Sequence, residues 1–176
     1  MPATSAWDRA GSLPVPATGP VRPEVAALRD EIPSVADLFT FMLKRQNRRV
    51  YLVAFMEDHS RFITGFGLHG SQSTPLVIEV VRAAIAGHGV PQEILTDNGS
   101  QYVTWRGKSQ FTRELEKLGI KQIVAKPQRP QTLGKIERFW GTLWRECIES
   151  AIFLDLEDAR RRIGLFIDHY NFQRVH

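Results

Sequence analysis

The apolar pattern of this chain changes character once. First come three strand-like runs, Asp37–Leu43, Val50–Met56 and Phe62–Leu68, rich in β-branched or aromatic residues and bounded by polar clusters. Lys44–Arg49 and Asp58–Arg61 read as the turns between them. Helical and strand patterns then alternate. Leu76, Val77, Val80, Val81, Ala84 and Ile85 make a helical stripe over Thr74–Gly87, stopped by Gly87-His88-Gly89. Glu93–Thr96 is a short buried strand, Phe111–Leu118 an amphipathic helix and Gln122–Ala125 a further strand. Gln131–Ala151 and Leu156–Tyr170 are helices. The inward positions of the last are Leu156, Ala159, Ile163, Phe166, Ile167 and Tyr170, which leaves Arg160-Arg161-Arg162 on its solvated face. A meander followed by alternation predicts an α/β domain: a five-stranded mixed sheet flanked by helices.

Residues 1–33 hold six of the ten prolines and no sustained period, which predicts a flexible arm or linker with one short helix near Val25–Arg29. The core is expected over 34–176 and to be truncated at its C-terminus. Apolar residues make up 43% of the 176, enough for one domain with a real core. No apolar run has the length of a membrane span, and the single Cys147 excludes an internal disulfide and predicts a cytoplasmic compartment. The net charge of +4 is concentrated: Asp97–Cys147 carries ten Lys/Arg against five Asp/Glu. A basic excess there would draw a polyanion.

Two of those five acids stand out. Asp97 ends its strand before Asn98-Gly99, a turn signal, and ligands of α/β sheets gather beyond the carboxyl ends of strands. Glu137 follows the inward-facing Ile136 by one position, about 100° around the helix. Its face also carries Gly134, Gly141 and Trp144, a low surface beside a carboxylate. A plain tight turn and a solvated surface Glu are the ordinary alternatives. Two divalent ions held by oxygen ligands need a third acid. Asp37 and Asp58 are the candidates; Asp37, taken to open the first strand, is preferred, with Asp58 a turn residue paired to Arg61. Glu57 should point to the opposite face. Such clustered acids repel one another until divalent cations neutralise them. Asp58-His59-Ser60 cannot converge as a triad because strand side chains alternate. His69 and His88 are isolated, no phosphate-binding Gly-rich loop is present, and Tyr170 belongs to an apolar helix face.

In order along the chain stand Asp37-Leu38-Phe39-Thr40-Phe41, Tyr51-Leu52-Val53-Ala54-Phe55, Asp58-His59-Ser60-Arg61, Val90-Pro91, Thr96-Asp97-Asn98-Gly99-Ser100-Gln101-Tyr102, Trp105-Arg106-Gly107-Lys108, Gly134-Lys135-Ile136-Glu137-Arg138-Phe139-Trp140 and Tyr170-Asn171-Phe172-Gln173-Arg174-Val175-His176. This combination resembles the integrase-core (DDE) transposases of bacterial insertion sequences, relatives of retroviral integrases. The resemblance implies a ribonuclease H-like fold, with Asp37, Asp97 and Glu137 as catalytic acids binding two Mg²⁺ or Mn²⁺ ions. It implies cutting at transposon ends and joining of the 3′-hydroxyl to target DNA, in a homo-oligomeric complex associated with the bacterial nucleoid. Lys135 and Arg138 are the expected phosphate contacts, with Lys108, Lys126 and Arg129 as further ones. Trp105–Gln110 reads as an insert between the second and third acids, and Trp144 stands where many members place a lysine. No helix-turn-helix module of the kind such relatives carry is read in 1–33. A catalytically silent DNA-binding remnant and a ribonuclease H-like nuclease are the alternative readings.

Overall fold

The computed structural model describes residues 34–125 and 133–174, together with the backbone of 15–16. The expected strands are present as β2 (Ser34–Leu43), β3 (Arg48–Glu57), β4 (Ile63–His69), β5 (Glu93–Thr96) and β6 (Lys121–Val124). A two-residue strand, β1 (Val15–Pro16), joins them from the arm, where only a flexible linker was expected. Proline cannot donate to a ladder, so an edge position suits it. The sheet order is β1-β4-β3-β2-β5-β6, with β2, β3 and β4 an antiparallel meander and β5 and β6 parallel to β2. The expected helix near Val25–Arg29 lies outside the described residues.

Among the described residues four helices cover the sheet: α1 (Thr74–His88), α2 (Gln110–Lys117), α3 (Gly134–Leu143) and α4 (Leu156–Phe172). Strand alternation divides the core in two. Ala36, Val53, Phe55 and Ile94 meet α1 and α2 through Leu76, Val80, Phe111 and Leu115. Val35, Phe41, Leu43, Leu52 and Leu95 meet α3 and α4 through Ile136, Phe139, Trp140, Ile163 and Ile167. Helix α1 lies close on β4 because the strand is glycine-bearing. A Cβ on Gly67 would stand 2.6 Å from Val80 Cγ2, and one on Gly65 2.9 Å from Ala84 Cβ.

Two expectations change on the second face. The single helix over Gln131–Ala151 begins at Gly134 among the described residues and widens into a π-helical turn over Trp144–Ile148. Arg160, expected in solvent, is only 8% exposed. Its guanidinium donates to the Leu68 carbonyl at 2.9 Å and pairs with Glu157, so it satisfies a strand carbonyl beneath the helix. Arg161 and Arg162 do lie outward and pair with Asp158. Among the described residues no helix is long and apolar enough to cross a membrane.

Candidate active site

The first two acids meet through strand register. Ala36 pairs with Thr96 in the parallel β2–β5 ladder, so Asp37 and Asp97 each lie one residue further on. In-register neighbours of parallel strands project to the same side of a sheet. That side is the one that carries Val35 and Leu95 and faces α3. Asp37 does not open its strand, as expected, but is its fourth residue. There it occupies a polar position in a row otherwise formed by Val35, Phe39, Phe41 and Leu43.

A polar group so placed needs partners. Leu38 N–H donates to Asp37 Oδ1 at 2.7 Å, and Trp140 Nε1–H donates to Oδ2 at 2.9 Å. Trp140 is held by stacking on Phe39, with centroids 5.3 Å apart. Burial nevertheless pushes the Asp37 carboxyl up to about 6; the two hydrogen bonds oppose the shift, and the charges of Asp97 and Glu137 add to it. All three acids therefore act in one electrostatic neighbourhood. Glu137 is exposed at the edge of α3. Among the described residues nothing lies within 4 Å of a notional Cβ on Gly134 beside it.

Asp97 caps its own turn by accepting from Gly99 N–H at 3.0 Å. The loop after it is anchored by Tyr102, fully buried against Phe111. Burial, then the charges of Asp37 and Asp97, hold its hydroxyl protonated well above the usual tyrosine range. Gln72 donates to Gln101 Oε1 at 2.5 Å, tying the segment before α1 to the same loop.

The remaining expected residues fall out differently. Asp58 pairs with Lys135, not with Arg61: Lys135 Nζ donates to Asp58 Oδ2 at 2.8 Å and to its carbonyl at 2.7 Å. Lys135 thus ties α3 to the β3–β4 turn, with its stem half-exposed. Arg138 is exposed. Lys108 pairs at the surface with Glu116 at 2.5 Å. Lys126 and Arg129 lie outside the described residues. Glu57 accepts from His59 N–H, Ser60 N–H and the Ser60 hydroxyl, so Ser60 is spent on the turn and no triad forms. Tyr170 packs edge-on against Phe139 in the core, as its helical position implies. Trp140 and Gln101 are missed by the sequence reading. The signal for Trp140 was its position three residues after Glu137, one turn along the same helix.

Among the described residues no three His, Cys, Asp or Glu side chains stand close enough to hold an ion as they are placed. The donor chemistry suits a divalent cation all the same. The set is all carboxylate oxygen, and the neighbouring negative charges help to raise Asp37, a conflict that a hard cation relieves.

Comparison with known proteins gives the family and the fold. A family model described as "Integrase core domain" matches residues 34–130, and a second of the same description matches 118–176. The chain is 27% identical over 138 residues to an uncharacterized 39.2 kDa protein of insertion element IS476 from Xanthomonas euvesicatoria, covering 78% of this chain and 39% of that one. It is 29% identical over 130 residues to the transposase for insertion sequence element IS904 of Lactococcus lactis subsp. lactis, covering 72% and 50%. It therefore spans half or less of the length of these relatives. The fold matches the HTLV-2 integrase catalytic core domain in complex with magnesium at a TM-score of 0.64 and 19% identity, covering 85% of this chain and 90% of that one. It matches a chain of a simian T-cell lymphotropic virus intasome at 0.69 and 22%, covering 93% and 55%. The ribonuclease H-like fold is that of these integrase cores.

Proposed function

The chain belongs to the integrase core domain family, and from that premise we propose that it is the catalytic core of a transposase that cuts DNA at transposon ends and joins the 3′-hydroxyl to target DNA. The observation that carries this reading is the parallel β2–β5 register, which sets Asp37 beside Asp97 on the face that α3 covers with Glu137. The electrostatic coupling of Asp37 to both other acids supports it.

In this reading Asp37, Asp97 and Glu137 hold Mg²⁺ or Mn²⁺, two ions in the working complex. When bound, the ions activate the attacking oxygen and stabilise the leaving oxygen of an in-line displacement. The protein's own residues position the acids. Trp140 and Leu38 fix the Asp37 carboxyl through one hydrogen bond to each oxygen. The Gly99 amide orients Asp97. Arg138, and beyond the described residues Lys126 and Arg129, contact phosphates; the space that the described residues leave at Gly134 lets the backbone of DNA approach. Lys135 acts first as a structural tie to Asp58. Its partners are transposon-end and target DNA and further copies of the same chain, in the bacterial cytoplasm at the nucleoid.

The test is a nicking and strand-transfer assay on transposon-end DNA with Mn²⁺, comparing the chain with Asp97→Asn. Metal-dependent products should appear and vanish in the variant. Equal activity in both would remove Asp97 from the site. No product from a folded chain that binds DNA would favour the catalytically silent remnant.

A further inference from the structure

Trp105 is the most exposed large hydrophobic side chain among the described residues, at 91%. An aromatic of this size carries about 150–250 Å² of surface that water disfavours. The chain holds it out by a built device. Tyr102 is fully buried, Ser109 is buried, and the Ser109 hydroxyl donates to the Tyr102 carbonyl at 2.7 Å. Gln122 donates to the same carbonyl at 3.3 Å. The six residues between are thus a projection pinned shut at its base. Ser109 Oγ also accepts from Thr112 N–H and caps α2, so the return arm is fixed to a helix. Gly107, at φ 71°, permits the reversal at the tip.

The chemistry of the projection narrows its occupant. Residues 98–110 contain no acid, and Trp105 is followed by Arg106 and by Lys108, whose ammonium pairs at the surface with Glu116 of α2. The Arg106 guanidinium stands 5.5 Å from the Trp105 ring centroid. Among the described residues of this loop no second apolar side chain is exposed with it: Thr104, Arg106, Gly107 and Lys108 flank it in sequence, and Val103 turns into the α1–α2 core. Protein interfaces build an apolar centre around an aromatic anchor. A single aromatic among cations is the composition of a base-stacking platform, sequence-tolerant because every base has a π-face. The projection leaves the same loop that carries Asp97, beyond the carboxyl end of β5.

We propose that Trp105, with Arg106 and Lys108 beside it, is a stacking platform for an unpaired nucleobase of the DNA strand engaged at the acidic site. Arg106 neutralises the adjoining phosphate, and Lys108 adds a second contact by exchanging its exposed pair with Glu116 for the phosphate. This inference rests on the DNA reaction proposed above and adds to it a base contact made by the Trp105–Gln110 insert.

The full chain is titrated, without divalent metal, against blunt duplex DNA and the same duplex with a single-stranded overhang. Wild type is compared with Trp105→Ala and Trp105→Phe. Trp105→Ala should melt with wild type, because the side chain touches little. It should weaken overhang binding by about 5- to 150-fold, the range for losing one stacked base, with blunt duplex little affected. Trp105→Phe should retain most of the affinity. 2-Aminopurine placed along the overhang should be quenched at one or two positions, and the quench should be lost in Trp105→Ala. Unchanged affinity and quench in Trp105→Ala would overturn the platform, leaving the Asp97→Asn assay to judge the reaction separately. Loss of self-association by sedimentation, with DNA binding unchanged, would also overturn it, making a second copy of the chain the occupant. A wild-type chain that binds neither DNA would sink both readings.

Discussion

Asp37 has two requirements in conflict. Its place in the β2 row sets it beside Asp97, and burial there penalises its charge. With a folded pKa of about 6 against 3.8 for the free group, the folded chain holds the proton more tightly. Without metal, stability should therefore fall as pH rises from about 4 to 6 and stay lower above. A shift of about two units corresponds to about 3 kcal/mol. Urea unfolding of Asp37→Asn in EDTA should accordingly show a gain of about 1–3 kcal/mol at pH 8 that shrinks towards pH 4. A pH-independent difference would mean that Asp37 does not carry the penalty. His69 works in the opposite sense, since burial, then Arg160, lower it to about 4. Its contribution is present above about 6.5 and is lost on acidification towards 4, so the Asp37 effect is read as a difference between variants. Trp140→Phe keeps an aromatic ring, smaller than the indole, but removes the donor to Asp37. Hydrogen bonds to charged groups contribute about 1.5–3 kcal/mol, so metal-dependent activity should drop about ten-fold or more when assayed well below the melting temperature, which the smaller buried ring also lowers.

At the scale of elements, helix α3 is aimed by contacts on both sides. Ile136, Phe139 and Trp140 seat it on the sheet, and Lys135 holds its first turn to the β3–β4 turn through Asp58. A double-mutant cycle of Lys135→Ala and Asp58→Asn should give a coupling of about 0.5–1 kcal/mol, modest because both side chains are partly solvated. Zero coupling, with a salt slope of DNA binding reduced by about one in Lys135→Ala, would return Lys135 to the phosphate contacts. On the other face, Gly67→Ala places a methyl group 2.6 Å from Val80 Cγ2. Overpacking of this kind costs about 1–3 kcal/mol, read as a lower urea midpoint at unchanged m-value.

Across the whole molecule, the last helix closes the domain onto the central sheet. Asn171, 2% exposed, accepts from Ile63 N–H at 2.8 Å and donates to the Ile63 carbonyl at 3.0 Å, 108 residues away in sequence. Its amide stands in for a neighbouring strand at the start of β4. Asn171→Ala leaves both backbone groups buried and unpaired, and should lower stability by about 2–4 kcal/mol in denaturant titration. Asn171→Asp, which keeps an acceptor and loses the donor, should fall between. Much of this architecture was legible beforehand. The periods of 2 and 3.6 marked each described strand and helix of the core to within a few residues, because burial of one face imposes those periods locally. The turn at Asn98-Gly99 and the edge position of Glu137 beside Ile136 were legible too, and the structure has both: Asp97 closes that turn and Glu137 is exposed on its helix. The place of Arg160 was not legible, because an arginine run on a helix reads as solvated unless the carbonyl it satisfies is known. Nor was the β1 pairing, whose two residues carry no period.

The sequence by itself determined the elements and their order, and which acids to propose for the site, since each depends on residues close together in the chain. Only the tertiary structure decided that Asp37 stands beside Asp97, that Trp140 rather than a charged group holds Asp37, and that Lys135 takes Asp58. These are pairings between residues 60 to 103 positions apart. They follow from strand register and helix seating, which the whole core selects by burying both apolar faces at once and which no local pattern encodes.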